Sequence, residues 1–266
     1  IGCLSVGRGI SMPALSMAVA QQCFALTGSY AVVRQQFKRK IGDFEGIQEG
    51  LGLIGGLSYL IEANRHAIAQ AVIDGARPSV AAAIVKYHLT QLSRRILETA
   101  MDLHSGHALQ AGPSNLLAEV YAGLPISTVG EGANIMTRNL IIFGQGVLRA
   151  HPYLRDEIMA AVNQENLLKF DKTLYQHMGH SLCVWTRAKV AGLTGGRFLR
   201  APAGPLRRYY QQVQRYSYAL AGVSDIALAL LGKNLKMKEF ISARLGDIFS
   251  YLYLAIGVLK YAHEHA

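Results

Sequence analysis

The chain has 266 residues, of which 51% are hydrophobic, and a formal net charge of +10. This apolar content excludes a disordered chain, and seven prolines among abundant alanine and leucine favour helices over a many-stranded β fold. Residues 1–150 carry 12 Lys and Arg against 9 Asp and Glu, whereas residues 151–266 carry 15 against 8. The second half is therefore suited to an anionic surface or ligand, although a solvated helical face explains the excess equally well.

The apolar periodicity predicts an all-α fold. Long helices are expected over residues 11–37, 44–74, 79–104 and 134–149, with a short one over 116–121. They form an antiparallel four-helix bundle. His151-Pro152 marks a boundary, so we predict two domains, 1–150 and 151–266, the second a helical extension with helices over 157–193, 205–232 and 236–262.

Cysteine spacing, the length of apolar runs and the first residue of the chain give three further predictions. Cys3, Cys23 and Cys183 have no metal or disulfide spacing, so we predict reduced core cysteines and a cytoplasmic protein. An uninterrupted apolar run of ~18 residues is absent, so no membrane-spanning helix is predicted. The chain begins at Ile1 in mid-pattern, and we expect further residues before it.

Glu131 is the main candidate for chemistry. It is the only acidic residue between Glu119 and Asp156, and its neighbours in Val129-Gly130-Glu131-Gly132-Ala133 are small or apolar. An apolar environment raises the pKa of a carboxylate towards the range where it can accept a proton near neutral pH, whereas a nearby helix N-terminus lowers that pKa. Flanking glycines let a ligand approach the backbone. From this loop alone, a carboxylate at the start of a helix is the simpler interpretation.

The order of several motifs resembles the acyl-CoA dehydrogenase family. Tyr30 is followed by Arg34-Gln35-Gln36-Phe37, and then by Phe44-Glu45-Gly46-Ile47-Gln48. The segment 102–109 lies where the family has a glycine-rich loop, and Glu131-Gly132 followed by Arg138 matches its glutamate loop. The resemblance covers roughly residues 1–148. The basic extension beyond it resembles that of the large bacterial enzyme of fatty-acid β-oxidation.

The resemblance implies α,β-dehydrogenation of a medium- or long-chain fatty acyl-CoA to the trans-2-enoyl-CoA. Glu131 would take the α-proton while the β-hydride passes to FAD, and the backbone N–H of Glu131 would polarise the thioester carbonyl. Arg8 and Gly132 would lie beside the substrate. The N-terminal helical and middle β-domains would lie upstream, so this chain alone is expected to be inactive.

The resemblance also implies which residues bind FAD. Arg34 and Gln36 would reach the diphosphate and adenosine of the FAD of a neighbouring subunit, with Asp102 and Gly106 in the other FAD-contacting loop and Ala133 beside the flavin. Several positions depart from the family pattern: Lys38 replaces a glycine, Asp102 a glutamine, and Ala133 a common threonine. These departures leave open a non-catalytic scaffold or membrane-associated module, and an acyl-CoA oxidase is a third alternative.

The expected partners are a fatty acyl-CoA, an electron-transfer flavoprotein or similar acceptor, and a second copy of the chain. No nucleic acid is expected. The pairs His104 with His107 and His177 with His180 lack a clear third ligand, so we assign no metal. The basic, aromatic segment 187–218 is predicted either to contact an anionic inner-membrane surface or to form a protein interface.

Overall fold

The structure is a computed structural model that describes residues 2–163 and 167–265. It divides into two compact units, residues 1–134 with 264–266, and residues 135–263. The all-α prediction is confirmed, since helices make up almost the whole described chain. The division at 134/135 precedes the predicted domain boundary at 150/151, which stays a prediction.

Three long helices build the first unit, and they pack against one another. They are α1 (Gly2–Val33), α2 (Glu45–Ile73) and α3 (Ser79–His104). α3 buries the most, including Ile84, Leu89 and Ile96, which are fully buried. Each such side chain contributes about 1.5–3 kcal/mol when it leaves water. The predicted starts and ends of α2 and α3 agree with the structure to within one residue, whereas α1 begins and ends earlier than predicted.

The connection between α1 and α2 is a small β-hairpin that the sequence did not predict. Strands β1 (Gln35–Gln36) and β2 (Arg39–Lys40) pair antiparallel, with Gln36 opposite Arg39. The two-residue turn therefore consists of Phe37 and Lys38, whose φ angles are 50° and 64°. Both angles are those of a type I′ turn, in which glycine normally occupies the second position. A 3-10 turn, Ile41–Asp43, leads into α2.

Short elements complete the first unit and lead to the Glu131 loop. A 3-10 turn covers Ser105–Leu109, and three short helices follow: α4 (Ala118–Gly123), α5 (Ile126–Val129) and α6 (Asn134–Met136). The predicted helix over 134–149 is interrupted, because a π-helical turn, Thr137–Ile142, separates α6 from α7 (Phe143–Ala150). Such turns are inserted where a helix must re-aim its side chains.

The second unit contains four further helices. They are α8 (Leu154–Asn163), α9 (Leu167–Leu193), α10 (Arg207–Leu231) and α11 (Glu239–Glu264), with a 3-10 turn, Gly232–Met237, before α11. The predicted helix over 157–193 is helical in both described parts, up to residue 163 and from residue 167, and residues 164–166 lie outside the described part. Phe143, Leu235 and Leu245 form the buried core of this unit, and Arg138 makes a two-pronged ion pair with Asp247.

The absence of a membrane-spanning helix stays a prediction. Gly7–Val33 and Glu239–Glu264 are long and apolar enough to cross a membrane by length and composition, although a core helix of a soluble protein passes the same test and α1 packs on α2 and α3.

Cys23 is buried and reduced as predicted, and burial raises its pKa to about 12. Cys183 is exposed, so its prediction as a core residue was wrong. The side chain of Cys3 lies outside the described residues.

Lys38→Gly should stabilise the protein by about 1 kcal/mol, because glycine adopts a left-handed backbone without the clash that a Cβ introduces. The measurement is the free energy of unfolding in urea. Lys40→Gly is the matched control: Lys40 is an exposed lysine with ordinary angles, φ −63° and ψ 139°. An equal gain in both variants would show that the turn is not strained.

Candidate active site around Glu131

Glu131 lies in a tight loop between α5 and α6, and the loop holds it in an unusual backbone conformation. Its φ is +57°, and the following Gly132 has φ +112°. The preceding Gly130 has no room for a side chain, since a Cβ there would lie 3.1 Å from the carbonyl oxygen of Ile126. A left-handed non-glycine residue costs about 1–3 kcal/mol and persists only where its surroundings impose it.

Lys86, on α3, is the group that imposes this conformation. Its side chain is fully buried, and its ammonium donates to three oxygens: the Thr128 carbonyl (3.3 Å), the Gly132 carbonyl (2.5 Å) and Asn134 Oδ1 (2.6 Å). These acceptors lie on both sides of Glu131 in the chain, so one cation fixes both ends of the loop. Asn134 in turn donates to Thr90 on α3 (2.9 Å).

The burial of Lys86 has a measurable consequence for its titration. Loss of hydration, and then the positive charge of Arg8, lower the pKa of Lys86 to about 8, against an opposing effect of Glu131. Because this folded-state pKa is below the unfolded value of 10.5, burying the charge costs stability below about pH 8. That cost is relieved as the pH rises from about 8 to 10.5.

Helix α1 supplies the other side of the site. Ser11 Oγ lies 2.9 Å from Glu131 Oε1 and 2.7 Å from the Gly7 carbonyl, so its single proton has two acceptors. Glu131 Oε2 is buried without a hydrogen-bond partner among the described residues, and so is Arg8 Nε. Buried polar atoms without partners are rare in proteins, and they mark places where a further group can bind. The structure thus brings Arg8, Glu131 and Gly132 to one site.

Four of the five residues predicted to bind the cofactor line a second site in the same unit. Arg34, Gln36, Asp102 and Gly106 share a groove of about 960 Å³ between the hairpin and the end of α3. The fifth, Ala133, is in the Glu131 loop and does not line this groove. The exposed Arg34 guanidinium is suited to a phosphate, and the Asp102 carboxylate in the same groove opposes one.

Stacked rings form one wall of the groove. Tyr30 lies against His104, with ring centres 4.2 Å apart and planes 12° apart, and against His107 at 5.7 Å. Burial, and then the charge of His107, lower the pKa of His104, whose Nε2 is buried without a partner among the described residues. These histidines therefore pack as aromatic rings that shape the groove.

Sequence reasoning missed Ser11, Lys86 and Asn134. Lys86 did give a signal, since it follows the run Ala81-Ala82-Ala83-Ile84-Val85 on an otherwise apolar helix face. A single lysine on an apolar helix face is either buried with that face or leaves the apolar side chains around it exposed to water. A buried lysine needs several hydrogen-bond acceptors. Ser11 gave no comparable signal, because its role depends on a contact 120 residues away.

In the second unit, a histidine cluster was not predicted. Ligand atoms of His151, His177 and Asp225 lie within 4.8 Å of one another, so His177 does have neighbours that sequence could not identify. His151 Nδ1 accepts from the backbone N–H groups of Tyr153 (3.3 Å) and Leu154 (3.0 Å), which leaves its proton on Nε2, facing Asp225. A metal needs that nitrogen without a proton, so this tautomer disfavours a metal site.

Comparison with known sequences gives the family. The profile of the acyl-CoA dehydrogenase C-terminal domain matches residues 1–144, and that of the bacterial-type acyl-CoA dehydrogenase C-terminal region matches residues 148–266. The first match alone spans more than half of the chain, and it contains Lys86, Glu131 and the groove. The chain therefore belongs to the acyl-CoA dehydrogenase family.

Individual relatives agree with this assignment. The mitochondrial short/branched chain specific acyl-CoA dehydrogenase of Bos taurus is 29% identical over 144 residues, 53% of this chain and 32% of the relative. An FAD-complexed acyl-CoA dehydrogenase from Bacillus anthracis superposes over 99% of this chain and 43% of its own (TM-score 0.70, 18% identity). One from Geobacillus kaustophilus covers 53% and 36% (TM-score 0.50, 22% identity). The two structures support the fold, and this chain spans less than half of each relative.

Lys86→Met should lower the free energy of unfolding by about 2–3 kcal/mol, because the buried Asn134 side-chain oxygen and two backbone carbonyls lose their donor. Urea unfolding measures the change. Lys172→Met, at an exposed lysine on α9, is the control and should change stability by less than about 0.5 kcal/mol. A Lys86→Met protein as stable as the wild type would show that the ammonium does not hold the loop.

Proposed function

We propose that this chain is the helical, base-bearing part of an FAD-dependent acyl-CoA dehydrogenase that oxidises medium- or long-chain fatty acyl-CoA to the trans-2-enoyl-CoA. The observation that carries the proposal is the arrangement of Glu131. Its backbone is held in a left-handed conformation, one carboxylate oxygen lies against Ser11, and the other is buried without a partner among the described residues. A strained, partly unsatisfied carboxylate is the expected state of a base whose partner is the substrate.

The loop can also polarise the substrate. The N–H groups of Gly130 and Gly132 are bonded to Ile126 and Val129 carbonyls, whereas the Glu131 N–H has no partner within the described chain. A backbone donor beside the base is suited to the thioester oxygen, on which negative charge develops as the α-proton leaves. Arg8 adds positive charge at the same place, and the exposed Gly132 leaves space for the acyl chain.

The groove supports a role in binding FAD. Arg34 and Gln36 would hold the diphosphate and adenosine, while Gly106 allows close approach to the backbone. FAD, when bound, accepts the hydride from the β-carbon. The relative from Bacillus anthracis is described as complexed with FAD. Asp102 is the residue of the groove that fits least well, because a carboxylate repels a diphosphate.

Glu131→Gln in the full-length protein should keep the yellow flavin colour and abolish its bleaching by palmitoyl-CoA, since an amide cannot accept the α-proton. Absorbance during anaerobic addition of substrate measures this. Glu119→Gln, at an exposed glutamate, is the control and should bleach like the wild type. Retained turnover in Glu131→Gln contradicts the base assignment. A colourless wild type would indicate the non-catalytic scaffold, and peroxide production an oxidase.

The connection between α9 and α10 supports a further proposal, contact with an anionic membrane. Leu193 and Phe198 are 91% and 86% exposed, and four exposed arginines surround them in sequence: Arg197, Arg200, Arg207 and Arg208. Apolar tips flanked by cationic side chains are typical of proteins that bind peripherally to membranes. This surface would place a cytoplasmic enzyme at the inner membrane, near lipid-derived substrate and an electron acceptor such as electron-transfer flavoprotein.

Arg207→Ala/Arg208→Ala should reduce flotation with phosphatidylglycerol vesicles, because each arginine near an anionic surface contributes about 1 kcal/mol. Arg94→Ala/Arg95→Ala is the matched control, since those arginines are also adjacent and exposed, on α3. If the wild type fails to float, or if both double variants lose flotation equally, the α9–α10 connection is a protein interface or a solvated surface instead.

A further inference from the structure

A cavity at the surface of the second unit is separate from the Glu131 site and the groove, and it shares His151 and Asp225 with the histidine cluster. It has a volume of about 290 Å³, and helices α7, α10 and α11 form most of its wall, with His151 and His180 at the remaining side. This volume is at the lower limit of the range of about 300–1,000 Å³ that is usual for small-molecule sites. All of its lining residues belong to residues 135–263, so the second unit builds it alone.

The greater part of the wall is apolar. Phe143 and Val147 come from α7, Leu220 from α10, and Phe249 and Leu252 from α11. Phe143 is also part of the buried core of this unit, and Val147 and Leu220 pack against that core, so these walls are fixed by packing. An apolar cavity of this kind excludes strongly hydrated groups and accepts hydrocarbon.

The polar groups of the cavity are centred on Asp225. Asp225 Oδ1 lies 3.2 Å from His151 Nε2, and Oδ2 accepts from Ser181 at 2.7 Å. Burial lowers the pKa of His151, an effect that the His177 charge reinforces and Asp225 opposes. Since both backbone N–H groups of residues 153 and 154 point at its Nδ1, His151 is the neutral Nε2–H tautomer. The lining residues therefore contain one formal charge, the negative charge of Asp225, when His180 is neutral.

We propose that this cavity binds a neutral amphiphile that has one aliphatic chain and a hydroxyl head group. The chain occupies the apolar space between α7, α10 and α11, and the hydroxyl donates a hydrogen bond to the Asp225 carboxylate. A carboxylate oxygen accepts more than one hydrogen bond, so the bonds from His151 and Ser181 do not exhaust it. A fatty acid is disfavoured, because its own carboxylate would lie beside that of Asp225.

Ala221 offers a direct test, because it lines the cavity, while Ala219 on the same helix is exposed. The full-length protein is titrated with 1-decanol by calorimetry, after its acyl-CoA site has been saturated with a non-reactive thioether analogue. We expect saturable binding, weakened at least about tenfold by Ala221→Leu and unchanged by Ala219→Leu. Flavin bleaching by palmitoyl-CoA is measured in parallel. A wild-type protein that does not bleach would contradict the proposed function, whereas the binding of 1-decanol tests the cavity alone.

The wild type alone gives a second test that needs no variant. Decanoate should bind at least about tenfold more weakly than 1-decanol at pH 8, where the fatty acid is charged. Equal binding of the two would overturn the head-group assignment. If neither binds, or if Ala221→Leu and Ala219→Leu bind 1-decanol alike, another segment of the protein or a second copy fills the cavity and the proposal is wrong.

Discussion

The hydrogen bonds that the buried Lys86 ammonium donates are the interaction on which the geometry of the candidate active site depends. A single buried cation on α3 bonds oxygens that precede and follow Glu131 in the chain, and so it converts the four-residue loop between α5 and α6 into a fixed structure. Without such a donor, the carbonyl groups of Thr128 and Gly132 and the buried Asn134 side chain would need other partners, and Glu131 would relax from its left-handed conformation. The hydrogen bonds of Lys86 thus offset the free-energy cost of burying its charge, and they fix the position of the Glu131 carboxylate.

The helices position this loop through the packing of their buried faces. α1 and α3 present Ser11 and Lys86 to opposite sides of Glu131, and each lies on a helix whose buried face is set by apolar side chains. The groove lined by Arg34 and Gln36 lies at the other end of α1, where the hairpin meets the end of α3. The Glu131 loop and the groove are therefore held by the same two helices.

Much of this arrangement was predictable from the sequence, because it follows from local patterns. The apolar periodicity predicted the extents of α2 and α3, and the ordered motifs singled out Arg34, Gln36, Asp102 and Gly106, although not that the four residues line one groove. The hairpin was missed because Phe37 and Lys38 have no preference for a left-handed turn. Lys86, Ser11 and the His151–Asp225 pair were missed because each acts through a residue distant in sequence, which periodicity cannot show.

In the proposed role of Glu131 as a base, Ser11 has a consequence for the whole proton-transfer cycle. While Glu131 is ionised, the Ser11 hydroxyl can turn to the carboxylate; once Glu131 has taken up a proton, the same hydroxyl can rotate about one bond to the Gly7 carbonyl, 2.7 Å away. Neither state leaves the hydroxyl proton without an acceptor. A side chain with two alternative acceptors thus lets the base change its charge without any movement of α1, and reset by the reverse rotation when the proton leaves.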